Sequence, residues 1–154
     1  MTKAALAIDP SQQLAERCAE LIYQQDATTR ELGMKLIRIA PGSAELSMRV
    51  LPWMVNGHDT CHGGLIFSLA DSTFAFACNS ENYKTVAASC SIDYINPGHR
   101  NDLLIARASK NHQRGRTGVY DVQVENQQGE LIALFRGRSH RLSGAVIPDT
   151  QKIN

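Results

Sequence analysis

The spacing of apolar residues changes several times along this chain. In "DPSQQLAERCAELIYQQD", Leu14, Cys18, Leu21 and Ile22 fall on one face of a predicted helix, with Asp9 or Ser11 available to cap it. In "LGMKLIRIAPGSAELSMRVL" the pattern alternates. Met34, Leu36, Ile37 and Ile39 lead to a turn at "PGS", and Ala44, Leu46, Met48 and Val50 follow, which predicts a hairpin. After the loop "PWMVNGHDTCHGG" comes a long apolar helix from about Gly63 to Asn79. Four strand-like runs, or three long ones, complete the chain: "TVAASCSIDYIN", "DLLIARASKNHQ", "GVYDVQVEN" and "LIALFRGRSHRL". The last two make a hairpin candidate about "NQQG", and the set is expected to form an antiparallel meander. Strands segregated from helices give an α+β fold. A helix apolar on nearly all sides must be wrapped, and the simplest wrapper is one curved antiparallel sheet.

Composition narrows the classes. The 154 residues are 43% hydrophobic and 20% charged, an ordinary globular balance. They suit a single domain over 1–154, with a core at about 30–142 and flexible terminal segments. The formal net charge of +1 offers no electrostatic case for a nucleic-acid partner. No stretch reaches membrane-spanning length, and "MTKAALAIDPSQQ" is too short an apolar run for a signal peptide, so a cytoplasmic protein without a membrane partner is expected. Cys18, Cys61, Cys78 and Cys90 form no C-x-x-C pair and read as free, partly buried thiols.

The chemistry concentrates at "NGHDTCHGGLIFSLADSTFAFACN", Asn56 to Asn79. Asp71 lies among Phe67, Leu69, Ala70, Phe74, Ala75 and Cys78. An unpaired buried carboxylate is costly or has a raised pKa. Asp71 therefore either sits at a helix edge, accepting from Ser68 or Ser72, or serves as base or nucleophile in a mostly dry cleft. "HGG" opens the helix, so the N–H groups of Gly63, Gly64 and Leu65 are expected to be free donors able to stabilise a developing oxyanion. Alternatively, the glycines only make a tight turn. Gly64 and Asp71 are seven residues apart, about 10 Å at ~1.5 Å per residue. One acyl carbonyl cannot touch both within one chain, so a shared site requires Asp71 from a second, two-fold-related subunit. His58, Cys61 and His62 lack a second ligand pair for zinc, so no metal is expected. Cys61 has no assignable orienting partner as a nucleophile. His62 reads as a loop-fixing or substrate-orienting group, and the Asn56 amide as a holder of water or carbonyl. His99, His112 and His140 read as surface or strand-edge residues.

The segment "NGHDTCHGGLIFSLADSTFAFACNS" resembles the central motif of the hotdog-fold acyl-CoA thioesterases, nearest the phenylacetate-degradation (PaaI) type. "VAASCSIDYINPG" and "RTGVYDVQVENQQGELIALFRGRSHR" extend the resemblance over most of the chain. It implies a hotdog fold, a long central helix wrapped by a curved antiparallel sheet. It also implies an acyl-CoA substrate, no cofactor, and a homodimer as the active unit, paired again into a homotetramer. By the same resemblance Asp71 is the catalytic carboxylate given by the opposite subunit. Gly63 or Gly64 supplies the polarising N–H, Asn56 lies near the scissile carbonyl, and His62 positions the thioester. Relatives place a water-orienting hydroxyl beyond the carboxylate; strict alignment puts alanine there, leaving Ser89 a loose candidate. Asp71 either activates water or attacks directly to give a mixed anhydride. Lys110, Arg114, Arg116, Arg136, Arg138 and Arg141 read as solvated strand-edge cations singly and as coenzyme A phosphate contacts together. Trp53, Met54, Phe67 or Phe74 are expected to line an acyl pocket suited to aromatic or medium acyl groups. Two alternatives remain. One is a hotdog hydroxyacyl-thioester dehydratase pairing the carboxylate with His58 or His62. The other is a non-catalytic acyl-CoA-binding subunit.

Overall fold

The computed structural model describes residues 9–149, so the expectation of flexible terminal segments lies outside the described residues. Helix α1 (Pro10–Gln25) is capped by Asp9, whose carboxylate accepts from the Ser11 N–H at 3.1 Å. Its buried face is Ala15, Cys18 and Ala19, small residues that let it lie close against the molecule. The five-residue helix α2 (Ala27–Glu31) follows, capped by Asp26. Strands β1 (Lys35–Ala40) and β2 (Ser43–Arg49) pair about Pro41–Gly42. Gly42 has φ +73, the left-handed value that this turn requires and that glycine adopts without a Cβ penalty. The Leu36–Ile37 pair that breaks the alternation coincides with a bulge between Leu36 and Arg38, and Ile37 is turned outward.

Helix α3 spans Gly63–Asn79, where the apolar run placed it. It packs against all six strands and α1. The strands after it are β3 (Tyr83–Tyr94), β4 (Leu103–Arg114), β5 (Thr117–Glu125) and β6 (Leu131–Ala145). All pairs are antiparallel, and the sheet order is β1-β2-β4-β5-β6-β3. The expected meander is therefore corrected. Of the four strands after α3, only β4, β5 and β6 run as consecutive neighbours. β3 crosses to the far edge beside β6, and β4 returns to β2. Spacing along the chain specifies strands but not which edge a strand joins.

The inward face of the sheet presents Leu46, Leu104, Ala106, Tyr120, Val122 and Phe135 to α3, all buried. Phe74 packs its ring against Tyr120 and Phe135, centroids 5.5 and 5.9 Å away. It also lies on Gly137, where an added Cβ would meet the ring at 2.7 Å. Phe74 and Met54 are thus sealed in the core, which corrects the expectation that they line an acyl pocket. Trp53 lies on the surface, 60% exposed.

Candidate active site

The loop before α3 is pinned at several points. The Asn56 side-chain oxygen accepts from the N–H groups of His58 (2.9 Å) and Thr60 (3.3 Å) and from the Thr60 hydroxyl (3.2 Å). This ties the turn, in which Asp59 takes a left-handed φ of 58. Cys61 donates its N–H to the Gly98 carbonyl and His62 donates to that of Met54, at 2.7 and 2.8 Å. Asn56 thus spends its carbonyl end on the loop and keeps its NH2 for another acceptor.

At the helix start the donors are not all free, which corrects the expectation for Gly64 and Leu65. The Gly64 N–H donates to His62 Nδ1 at 3.1 Å, and the Leu65 N–H to the His62 carbonyl at 2.9 Å. His62 is the N-cap of α3. Its imidazole takes the place that serine or aspartate usually fills, because helix-start N–H groups need an acceptor. The Gly63 N–H has no protein partner among the described residues. A cavity of about 320 Å³ lies beside it, lined among others by Asn56, Thr60, Gly63, Ile66, Tyr94 and Ile95.

Two turns further along, Asp71 is half-buried. Neither serine serves it: the Ser68 hydroxyl donates to the Gly64 carbonyl at 2.8 Å, and the Ser72 hydroxyl accepts from Thr29 at 3.2 Å. Its partner is the Cys90 thiol on β3, with Sγ 3.9 Å from Oδ1. Burial pushes the Asp71 carboxyl above the usual carboxylate range, the thiol contact pulls it partly back, and the Asp26 charge adds to the rise. Asp71 does not line the cavity beside Gly63. Because α3 is unbroken, Gly63 and Asp71 lie about 12 Å apart along its axis at ~1.5 Å per residue.

One further expectation changes. Ser89 faces away from Asp71. Neighbouring strand residues point to opposite faces. Cys90 pairs with Gly137 and looks inward, while Ser89 pairs with Arg138 and accepts a weak 3.4 Å bond from it on the outside. Cys61 lacks an activating partner, as expected: burial pushes its thiol up to about 11, and its Sγ contacts the His62 carbonyl rather than the imidazole. The four cysteines are free. Among the described residues no cluster suited to a metal occurs.

The cations divide. Lys110 bonds Glu81 at 2.5 Å, Arg136 bonds Asp121 at 2.6 Å, and Arg141 stacks on Tyr83 at 3.9 Å. This redirects Lys110 from a phosphate role to a fold contact. Arg114, Arg116 and Arg138 are exposed and make no ion pair among the described residues. The register brings them together, with Arg114 opposite Thr117 and Arg138 opposite Val119. Sequence reasoning missed Cys90 as the Asp71 partner and Tyr94 as a wall of the cavity. Strand alternation at "SCSIDY" carried the first signal, while the second depended on where the β3 end meets α3.

Residues 58–133 match the model of the Thioesterase superfamily. The acyl-coenzyme A thioesterase PaaI of Escherichia coli (strain K12) is 47% identical over 128 residues, covering 83% of this chain and 91% of that protein. The structure of the E. coli PaaI protein from the phenylacetic acid degradation operon superposes with a TM-score of 0.86 at 46% identity, over 87% of this chain and 97% of that one. A mutant of the phenylacetic acid degradation protein PaaI from Thermus thermophilus gives 0.73 at 38% identity, over 76% and 100%.

Proposed function

The chain belongs to the Thioesterase superfamily and has the hotdog fold, and on that premise we propose that it is an acyl-CoA thioesterase that hydrolyses phenylacetyl-CoA, hydroxyphenylacetyl-CoA or similar aryl and medium acyl-CoA thioesters. One observation carries the reading. A helix start with an open N–H beside a cavity, and a desolvated carboxylate, stand about 12 Å apart on one helix. The first suits a thioester carbonyl and the second suits a base, but they serve one substrate only if two subunits contribute.

In this proposal the acyl carbonyl sits against the start of α3, where Gly63 or Gly64 and the Asn56 NH2 stabilise the oxygen as charge develops. His62 orients the thioester. Asp71 of the opposite subunit takes a proton from water as the water oxygen attacks, and collapse of the intermediate expels the coenzyme A thiolate. Arg114, Arg116 and Arg138 hold the phosphates of coenzyme A.

The free edge supports the pairing. β3 is twelve residues long and has no neighbour on its outer side among the described residues, and it exposes Tyr83, Val86 and Tyr94. An open apolar edge of that length needs covering, and a second β3 across a two-fold axis covers it. A homodimer is thus the active unit. A groove of about 790 Å³ on the outer sheet face, crossed by the Arg136–Asp121 pair, is read as the face that joins dimers into a homotetramer. We take residues 1–154 as one domain, working in the cytoplasm. No described helix is long and apolar enough to cross a membrane.

Thiol release should be measured across a panel of acyl-CoA esters. The highest kcat/KM is expected with aryl acetyl or medium acyl groups, and no release from any member would overturn the reading. The pH dependence follows from Asp71. The base must be ionised, so kcat/KM falls as pH drops through a carboxyl pKa raised above the usual aspartate value. Cys90→Ala removes the donor that favours the charged form, so the acid limb should move to higher pH. A limb that stays in place in this variant would remove Cys90 from the account.

A further inference from the structure

We propose that Tyr94 sets the acyl specificity of the site, its ring being the wall that confines the cavity beside Gly63 to one aromatic ring on a short spacer or to an acyl chain of similar length. The inference rests on the functional reading above and names the substrate class of that same site. The open donor at the helix start is the Gly63 N–H, and the cavity of about 320 Å³ lies beside it. A thioester whose carbonyl meets that donor places its acyl group in the adjoining space. The volume stands at the lower end of ligand pockets, which run from about 300 to about 1,000 Å³. It takes a ring and a methylene, not a long chain.

The walls differ in what holds them. Cys61 and Gly98 are locked backbone to backbone, with the Cys61 N–H on the Gly98 carbonyl at 2.7 Å, and a Cβ added at Gly98 would lie 3.2 Å from Cys61 Cβ. Asn56 is tied to His58 and Thr60 through its side-chain oxygen. Ile66, in the first turn of α3, is 3% exposed and held by the core. Tyr94 is different. It lines the cavity yet is 51% exposed, so its ring stands between the cavity and the surface of the subunit. The ring is fixed beside the donor. Its hydroxyl donates to the Gly63 carbonyl at 2.7 Å, and a Cβ added at Gly63 would lie 3.0 Å from its Cζ. Glycine at 63 lets the ring come that close. An acyl group extending from the Gly63 donor therefore runs beside this ring, and an aromatic one gains an aromatic neighbour. Without the ring the cavity opens to the surface, while the backbone-held walls stay in place.

The test is thiol release from phenylacetyl-CoA and from myristoyl-CoA, by the unmodified protein and by two variants. Tyr94→Ala is expected to raise the ratio of kcat/KM for myristoyl-CoA over that for phenylacetyl-CoA by at least about 10-fold, the scale on which an apolar pocket discriminates by size. Tyr94→Phe keeps the ring and removes only the hydroxyl, so its ratio should stay within about threefold of the unmodified protein's. A merely structural role would lower both activities alike and leave the ratio where it was. An unchanged ratio in Tyr94→Ala, loss of both activities in that variant, or a shift in Tyr94→Phe as large as that in Tyr94→Ala would overturn the inference. Asp71→Asn serves as the separate control. If that variant turns over normally, the functional reading fails whatever Tyr94 does. If it is inactive and the ratio in Tyr94→Ala does not move, only the present inference fails.

Discussion

Replacing Asp71 by asparagine is expected to lower kcat by about 10²- to 10⁴-fold, the range of a lost general base, while making the protein more stable at neutral pH. The two effects have one cause. The carboxyl is half-buried with a thiol as its partner, and burial raises its pKa. A group whose folded pKa is raised contributes stability below its unfolded pKa and loses that contribution as pH rises through the folded value. At pH 7 the ionised form is therefore a net cost to the fold, and asparagine removes it. The melting temperature of Asp71→Asn should exceed that of the unmodified protein at pH 7 by about 2–4 °C for each kcal/mol recovered. The gap should close as pH falls below about 4, where the carboxyl becomes neutral in both folded and unfolded chains. Thiol release and thermal melts over a pH range from about 3 to about 8 check both halves. A variant that keeps its activity would remove Asp71 from the mechanism, and one less stable at pH 7 would show that the carboxylate supports the fold.

Mixing two inactive subunits is expected to restore about a quarter of the activity. Asp71→Asn lacks the base, and Gly63→Pro lacks the open helix-start N–H while remaining tolerable at the first helical position, after an extended His62. Each variant alone forms dimers with both sites broken. Coexpressed in equal amounts with random pairing, about half the dimers are mixed. In each, one composite site receives both intact groups and the other receives neither, so about one site in four works. If Asp71 and the helix start served the same subunit, no pairing would repair either site and the mixture would stay inactive. The difference, background against about a quarter, is large enough to decide the architecture from a single rate.

Much of the fold was legible without coordinates because it is local. The apolar run from Gly63 to Asn79 could only be a buried helix, and the glycines and the polar loop before it marked where the helix starts. Asp71 stood out because a carboxylate among Leu69, Ala70 and Phe74 needs a reason. The helical rise alone then separated it from Gly64. Other features were not legible. Met54 and Phe74 looked like pocket walls because any large apolar side chain can be core or lining, and only the packing on Gly137, Tyr120 and Phe135 assigns Phe74 to the core. The basic residues looked alike in sequence, and the registry of neighbouring acids divided them, giving Lys110 to Glu81 and Arg136 to Asp121.

The sequence by itself determined α1, α3 and the strands, the place of Asp71 on α3 and its separation from the helix start, since each depends on periodicity or on rise per residue. The tertiary structure decided which edge β3 occupies, that Cys90 rather than Ser89 faces Asp71, and that His62 and Tyr94 hold opposite ends of one peptide. The contacts of Asp71 with Cys90 and of Gly63 with Tyr94 join residues 19 and 31 positions apart. They depend on how β3 crosses to the far edge of the sheet, and no local pattern along the chain encodes where that crossing ends.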